Sequence, residues 1–318
     1  MAIILDFEKP IVELEQKIDE LKNFTCQEEI DLSGEINNLT RRLKKLKKEI
    51  FSNLTSWQRV QLSRHPDRPY TLDYIAMITE DFTEIHGDRH FGDDKALLTG
   101  LARIGGEKVV LIGHQKGRDT KENLERNFGC AHPEGYRKAI RIMAMADKFH
   151  VPIVCFIDTP GAYPGVGAEE RGQAEAIAYN LREMAGFGVP IICIVIGEGG
   201  SGGALGIGLG DRVFVLENAY YSVISPEGCA AILWKERSKA ANAAEALKLT
   251  GDELLELGVI DGIISEPLGG AHRDPKTTAE EIKKTILENL EELSKLSKEE
   301  LIEARYDKYR NMGVYKEG

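Results

Sequence analysis

"VPIICIVIGEGGSGGALGIGLG", residues 189–210, sets an apolar run against a segment, 197–210, in which 8 of 14 residues are glycine. Each glycine inside an ordered element costs about 0.5–1 kcal/mol relative to alanine, so this concentration needs a local reason. The same design occurs earlier, where "VPIVCFID" (151–158) runs into "TPGAYPGVGAEERGQ" (159–173). Further short β-rich runs are "ALLTGLARIG" (96–105), "KVVLIGHQ" (108–115) and "DRVFVLE" (211–217). Between them lie helical patterns, "HPEGYRKAIRIMAMADKFH" (132–150) and "ERGQAEAIAYNLREMA" (170–185). Near-continuous apolar strands alternating with helices predict an α/β fold with a buried, largely parallel sheet and crossover helices.

Outside this region the pattern changes. Ile11, Leu14, Ile18 and Leu21, then Leu32, Ile36, Leu39, Leu43, Leu46 and Ile50, step by three and four. This predicts an antiparallel helical hairpin over 1–65, ahead of a main domain over 66–318. In "RRLKKLKKEI" (41–50) the apolar positions belong to the hairpin seam and the charges to a solvated face, which argues against RNA or membrane binding. The tail from Thr278 reads as two amphipathic helices packed on the outside.

Bulk properties narrow the class. A chain of 318 residues with 42% hydrophobic content can build a full core. With 41 basic against 52 acidic residues the net charge is −11, which excludes nucleic acid as an obligatory partner. Cys26, Cys130, Cys155, Cys193 and Cys229 form no CxxC pair, so neither disulfides nor zinc are expected, consistent with a reducing cytoplasm. No apolar run reaches the roughly 18 residues that span a bilayer, and the first residues lack an export-signal pattern.

Three chemistries could use the second glycine segment. Gly197, Gly199 and Gly202 satisfy GxGxxG, although the acidic residue that would bind a ribose, Glu217, arrives early. Gly199, Ser201 and Gly203 satisfy GxSxG, a hydrolase elbow that would need His272 as base and Asp252 or Asp261 as orienter. Ser201 could equally be a small helix cap. The third reading joins both segments: if their strands are neighbours, one N–H from each turn can converge on an oxygen that becomes negative during reaction. Such a site needs no charged catalytic side chain, which suits the cores "PGAYPG" and "GGSGGA". Residues 205–210 are expected to serve tight helix packing, and Gly202 and Gly203 to serve function.

Taken together, "RHPDRPYTLDYI", "HGDRHFGDD", "RNFGCAHPEGYRKA", "IDTPGAYPG", "EERGQ", "IGEGGSGGALGIG", "YSVISPEG" and "ISEPLGGAH" closely resemble the carboxyltransferase alpha-subunit family of bacterial acetyl-CoA carboxylase, over essentially the whole chain. The resemblance implies a crotonase-like spiral of parallel sheet and crossover helices. It implies an α2β2 assembly with a beta subunit of the same fold, working with biotin carboxylase and a biotin carboxyl carrier protein. The implied reaction moves the carboxyl group of carboxybiotin to acetyl-CoA, giving malonyl-CoA in the first committed step of fatty-acid synthesis. Biotin would be borne by the carrier, and Ala144 stands between Met143 and Met145 where a biotinyl site needs lysine.

The family's oxyanion positions transfer to Gly161 and Ala162 and to Gly202 and Gly203. Tyr163, Pro164, Gly165, Arg171, Glu198 and Ser201 fall on the carboxybiotin side. Arg171 could hold a carboxylate by a bidentate contact, or pair with Glu169, Glu170 or Glu175. No metal is expected on this chain, and alone it is expected to be inactive.

Overall fold

β-branched and apolar residues fill the central strands so completely that both faces must be covered. The computed structural model describes residues 4–28 and 32–313. Its strands are β1 (Phe82–Glu84), β2 (Leu97–Ile104), β3 (Glu107–His114), β4 (Ile153–Thr159), β5 (Ile191–Gly200), β6 (Arg212–Leu216), β7 (Tyr220–Ser222) and β8 (Gly262–Ile264). They form one sheet in the order β1-β2-β3-β4-β5-β6-β8, with β7 pairing β5 beyond the end of β6. Every residue of β4 and β5 is buried. From β3 onward all pairings are parallel, whereas β1, β2 and β3 pair antiparallel. The antiparallel edge follows from Gly105 and Gly106, both at positive φ, which close a two-residue hairpin between β2 and β3.

The helices Pro133–Lys148 and Gln173–Gly186 are the crossovers, and they cover the sheet with Ala139, Ile140, Met143, Ala146, Ala176 and Met184. Met143 is thus a core methionine. The three-residue strands β1, β7 and β8 carry too short a pattern to read from sequence. β5 also differs from expectation: it continues through Gly197–Gly200, so the first four residues of the glycine segment are strand, not loop.

Two buried ion pairs tie distant segments to the sheet. Arg68 forks onto Glu266, with Nη1 to Oε2 at 2.9 Å, while its Nε donates to the Ile196 carbonyl of β5 at 2.8 Å. Arg305 of the helix Lys298–Arg310 forks onto Asp211 at 2.8 Å and donates to the Met184, Phe187 and Val189 carbonyls. This holds the C-terminal helices against the body. At the other end, Lys9–Glu28 and Ser33–Phe51 form the paired helices, and Lys47 reaches Glu15 at 2.5 Å between them. Their seam closes at its base on Leu62, in a cluster of Ile11, Phe51, Leu43, Leu46 and Ile50. Arg41, Arg42, Lys44, Lys45 and Lys48 are exposed, as a solvated face requires.

Cys130, Cys155, Cys193 and Cys229 are free thiols, and the side chain of Cys26 lies outside the described residues. Among the described residues, no helix is long and apolar enough to cross a membrane.

His114, at the end of β3, is fully buried with both ring nitrogens lacking a hydrogen-bond partner. Burial, aided by the neighbouring Lys116 ammonium, pushes its pKa down from 6.5 to about 3. Between those values the unfolded chain accepts a proton that the folded chain refuses, so stability falls as pH drops through that window. His114→Leu should therefore lose about 2 kcal/mol less stability than the parent between roughly pH 7 and pH 5. Urea unfolding at the two pH values measures this, and equal losses would refute it.

Candidate active site

The two glycine segments end on adjacent parallel strands and touch through their backbones. Thr159 of β4 sits opposite Gly199 of β5, after a register shift between Ile157 and Thr159. A Cβ on Gly200 would lie 2.8 Å from the Thr159 carbonyl and closer still to that of Pro160. A Cβ on Gly203 would lie 2.5 Å from the Ala162 nitrogen and against the Gly161 backbone. Gly202 is different, since its nearest neighbour would be Ile177 Cδ1 at 3.7 Å. Glycine at 200 and 203 is what permits the approach.

The amides at this junction differ in availability. Gly161 N–H donates to Thr159 Oγ1 at 3.1 Å, and Tyr163 N–H to the Ala131 carbonyl at 3.0 Å. Among the described residues, the amides of Ala162, Gly202 and Gly203 meet no acceptor. Neighbouring side chains hold the turns in place. Gln173 Nε2 donates to the Ala131 and Tyr163 carbonyls, and the His132 ring stacks on Tyr163 at 4.0 Å. Asn180 Nδ2 donates to the Tyr136 and Gly206 carbonyls, and Tyr136 packs its ring where a Cβ on Gly206 would be. Close packing at 206–210 is thus present, but in a turn, because the helix is only Ser201–Leu205.

Beneath both turns lies a charged cluster that sequence reasoning missed. Lys116 Nζ reaches Asp158 Oδ1 at 2.6 Å and Glu198 Oε1 at 2.9 Å. Asp158 Oδ1 also accepts the Glu198 N–H at 2.9 Å. Glu198 Oε2 receives Arg64 Nε at 2.6 Å and the Tyr220 hydroxyl at 2.8 Å, and Arg64 continues to Glu227 at 2.5 Å. Burial would raise the Glu198 pKa, but the Lys116 and Arg64 cations outweigh it and hold it at about 2. Burial would likewise lower that of Lys116, but the two carboxylates hold it well above its usual range. The only sequence signal was a polar residue closing each apolar strand.

The predicted residues separate into groups. Gly161, Ala162, Gly202 and Gly203 come together, with Tyr163, Pro164 and Gly165 continuing the first turn. Glu198 is spent within the charged cluster. Arg171 pairs with Glu134 and stacks over Phe91 at 4.5 Å, instead of pairing with Glu169, Glu170 or Glu175. It lines a cavity of about 330 Å³ with Phe91, His132 and Glu134. Ser201 and Gly202 border a second, largely apolar cavity of about 530 Å³, with Leu205, Leu209, Tyr221 and Val223.

Ser201 adopts φ 51°, an uncommon left-handed conformation shared by nucleophile elbows. The triad, however, is not assembled. His272 stacks on His65 at 4.1 Å with its Nε2 3.7 Å from Glu8, Asp252 pairs with Arg59, and Asp261 pairs with Lys308. The dinucleotide reading fails too: Gly197 and Gly199 lie inside β5, and Glu217 accepts the Glu266 N–H at 3.0 Å. Glu8, His65 and His272 bring ligand atoms within 4.8 Å, but rings stacked at 18° aim their lone pairs side by side, not at one ion.

The family model for acetyl co-enzyme A carboxylase carboxyltransferase-like proteins matches residues 4–313. The acetyl-coenzyme A carboxylase carboxyl transferase subunit alpha of Listeria innocua is 59% identical over 315 residues, covering 99% of each chain. Transcarboxylase 12S, solved with methylmalonyl-coenzyme A bound, aligns at TM-score 0.52 and 24% identity over 65% of this chain and 40% of that one. The beta subunit of Pseudomonas aeruginosa geranyl-CoA carboxylase aligns at TM-score 0.55 and 17% identity over 78% and 46%. The two structural likenesses establish the fold, a crotonase-like α/β architecture.

The contrast between Gly202 and Gly203 is testable. Gly203→Ala should cost about 1–3 kcal/mol by forcing the two turns apart, while Gly202→Ala should cost less than about 1 kcal/mol. Chemical denaturation compares them, and equal costs would contradict the packing described.

Proposed function

Since the chain belongs to the acetyl-CoA carboxylase carboxyltransferase alpha-subunit family, we propose that it forms the biotin-facing half of the active site, with unspent amides of its two strand-end turns as the working groups. The chain is a component of a biotin-dependent carboxyltransferase, and the reaction is transfer of a carboxyl group to acetyl-CoA, giving malonyl-CoA for fatty-acid synthesis. The observation that carries the site assignment is the abutment of the turns, with Ala162, Gly202 and Gly203 N–H groups lacking acceptors.

Biotin, borne on a separate carrier protein, supplies a ureido oxygen that gains negative charge as its carboxyl group leaves. The amides suit that charge because they are fixed by the sheet and need no reorganisation, and one such donor is typically worth ~3 kcal/mol in the transition state. Of the first pair, Ala162 is the donor, because Gly161 is committed to Thr159. Of the second pair, Gly202 and Gly203 are both available. Tyr163, Pro164 and Gly165 shape the wall beside the first donor, and the second borders the largely apolar cavity beside Ser201 and Gly202. Arg171, held by Glu134 and partly exposed, stands at the rim where it can meet a carboxylate. Glu198 positions β5, and Ser201 shapes the turn without acting as a nucleophile.

No side chain here is asked to move a proton, which agrees with a cluster in which Lys116 is held protonated and Glu198 ionised. Acetyl-CoA is assigned mainly to a beta subunit of the same fold, in an α2β2 assembly that works in the cytoplasm with biotin carboxylase and the carrier protein.

Gly202→Pro removes one donor at a position where an added Cβ would meet only Ile177 Cδ1 at 3.7 Å, whereas Gly202→Ala keeps the donor. Assayed with the beta subunit for carboxyl transfer between malonyl-CoA and biotin, the proline variant should lose about 10²–10³ in kcat and the alanine variant little. A folded proline variant with parental turnover would overturn the assignment of Gly202.

A further inference from the structure

The two amide-bearing turns belong to different strands, whose ladder is interrupted between Ile157 and Thr159, so regular pairing does not run unbroken to the strand ends. Here three neighbouring strands end at one side chain. Lys116 follows β3, and its ammonium lies 2.6 Å from Asp158, at the irregularity in β4, and 2.9 Å from Glu198, in the last turn of pleat of β5. Asp158 directly precedes Thr159, whose hydroxyl orients Gly161, and Glu198 lies four residues before Gly202. Asp158 leans so far toward β5 that a Cβ on Gly197 would lie 2.5 Å from its Oδ1. The lysine stem is roofed by Gly129, at φ 80°, where a Cβ would lie 2.9 Å from Lys116 Cγ. Two carboxylates this close repel one another unless a cation sits between them.

We propose that Lys116 is the positioning residue of the site: one ammonium, bound to Asp158 and Glu198 together, sets the separation of the two turns that carry the amide donors. The inference rests on the reading of those amides given above. Without the ammonium, Arg64 and the Tyr220 hydroxyl still hold Glu198 from one side, but no cation remains between it and Asp158, and β4 and β5 part at the level of Thr159 and Gly199. Lys116 touches no reacting atom in this scheme.

The test uses Lys116→Met, Lys116→Gln and Lys116→Arg in the full chain complexed with the beta subunit, assayed for carboxyl transfer between malonyl-CoA and biotin. Lys116→Met should lower kcat about 10–100-fold, with KM for malonyl-CoA within about twofold. Lys116→Arg, which keeps a charged fork, should restore most of kcat. If Lys116→Met does not yield a folded complex, Lys116→Gln carries the same expectation, because it keeps a donor but no charge. A loss that appears in KM as strongly as in kcat, a failure of Lys116→Arg to restore kcat, or kcat within about twofold of the parent in Lys116→Met overturns the proposal. Gly202→Pro, run in parallel, separates the two readings. If it is impaired while Lys116→Met is normal, the role of Lys116 falls and the amide site stands; if both are normal, the amide site itself falls.

Discussion

The molecule depends on a contact between two stretches of bare backbone. Gly200 lies against the Thr159 and Pro160 carbonyls, and Gly203 against Gly161 and Ala162. No side chain fits between them, so the turns that end β4 and β5 stand as close as polypeptide allows. Neighbouring parallel strands place their ends at one level, and glycine lets those ends meet. The result is a junction at which, among the described residues, the Ala162, Gly202 and Gly203 amides are left without acceptors beside one another.

Such a junction has to be held against its own electrostatics. Burying charge costs several kcal/mol per ion, and a buried pair usually adds little net stability. This protein nevertheless buries Lys116, Asp158, Glu198, Arg64, Arg68, Glu266, Arg305 and Asp211 in whole or large part. Each pair joins segments far apart in the chain: Arg68 holds the Ile196 carbonyl, Arg305 holds the turn after Gln173–Gly186, and Arg64 and Lys116 meet at Glu198. What these pairs contribute is location, because a fork of directed hydrogen bonds admits fewer arrangements than an apolar contact of equal size.

The same economy explains the cavities. The larger one is apolar and borders Ser201 and Gly202, while the smaller is lined by Phe91, His132, Glu134 and Arg171. The paired N-terminal helices meet the body through Ile11, Phe51 and Leu62 and through Arg273, which reaches Glu15, and leave their basic face in solvent.

Much of this was legible in the residues themselves. The runs at 153–157 and 191–196 demanded a buried parallel sheet, the spacing of Ala139, Ile140, Met143 and Ala146 demanded a crossover helix, and two glycine segments after such strands demanded turns of closely approaching backbone. These are local signals, carried by periodicity and by the conformational freedom of glycine. Tertiary packing decided the rest: that Gly161 is spent on Thr159 while Ala162 is not, that Arg171 turns to Glu134, that His272 stacks on His65 beside Glu8, and that Lys116 joins Asp158 to Glu198. Partners separated by tens of residues leave no trace in local pattern, because the energy that selects them arises only once the sheet has brought the strand ends together and excluded water from between them.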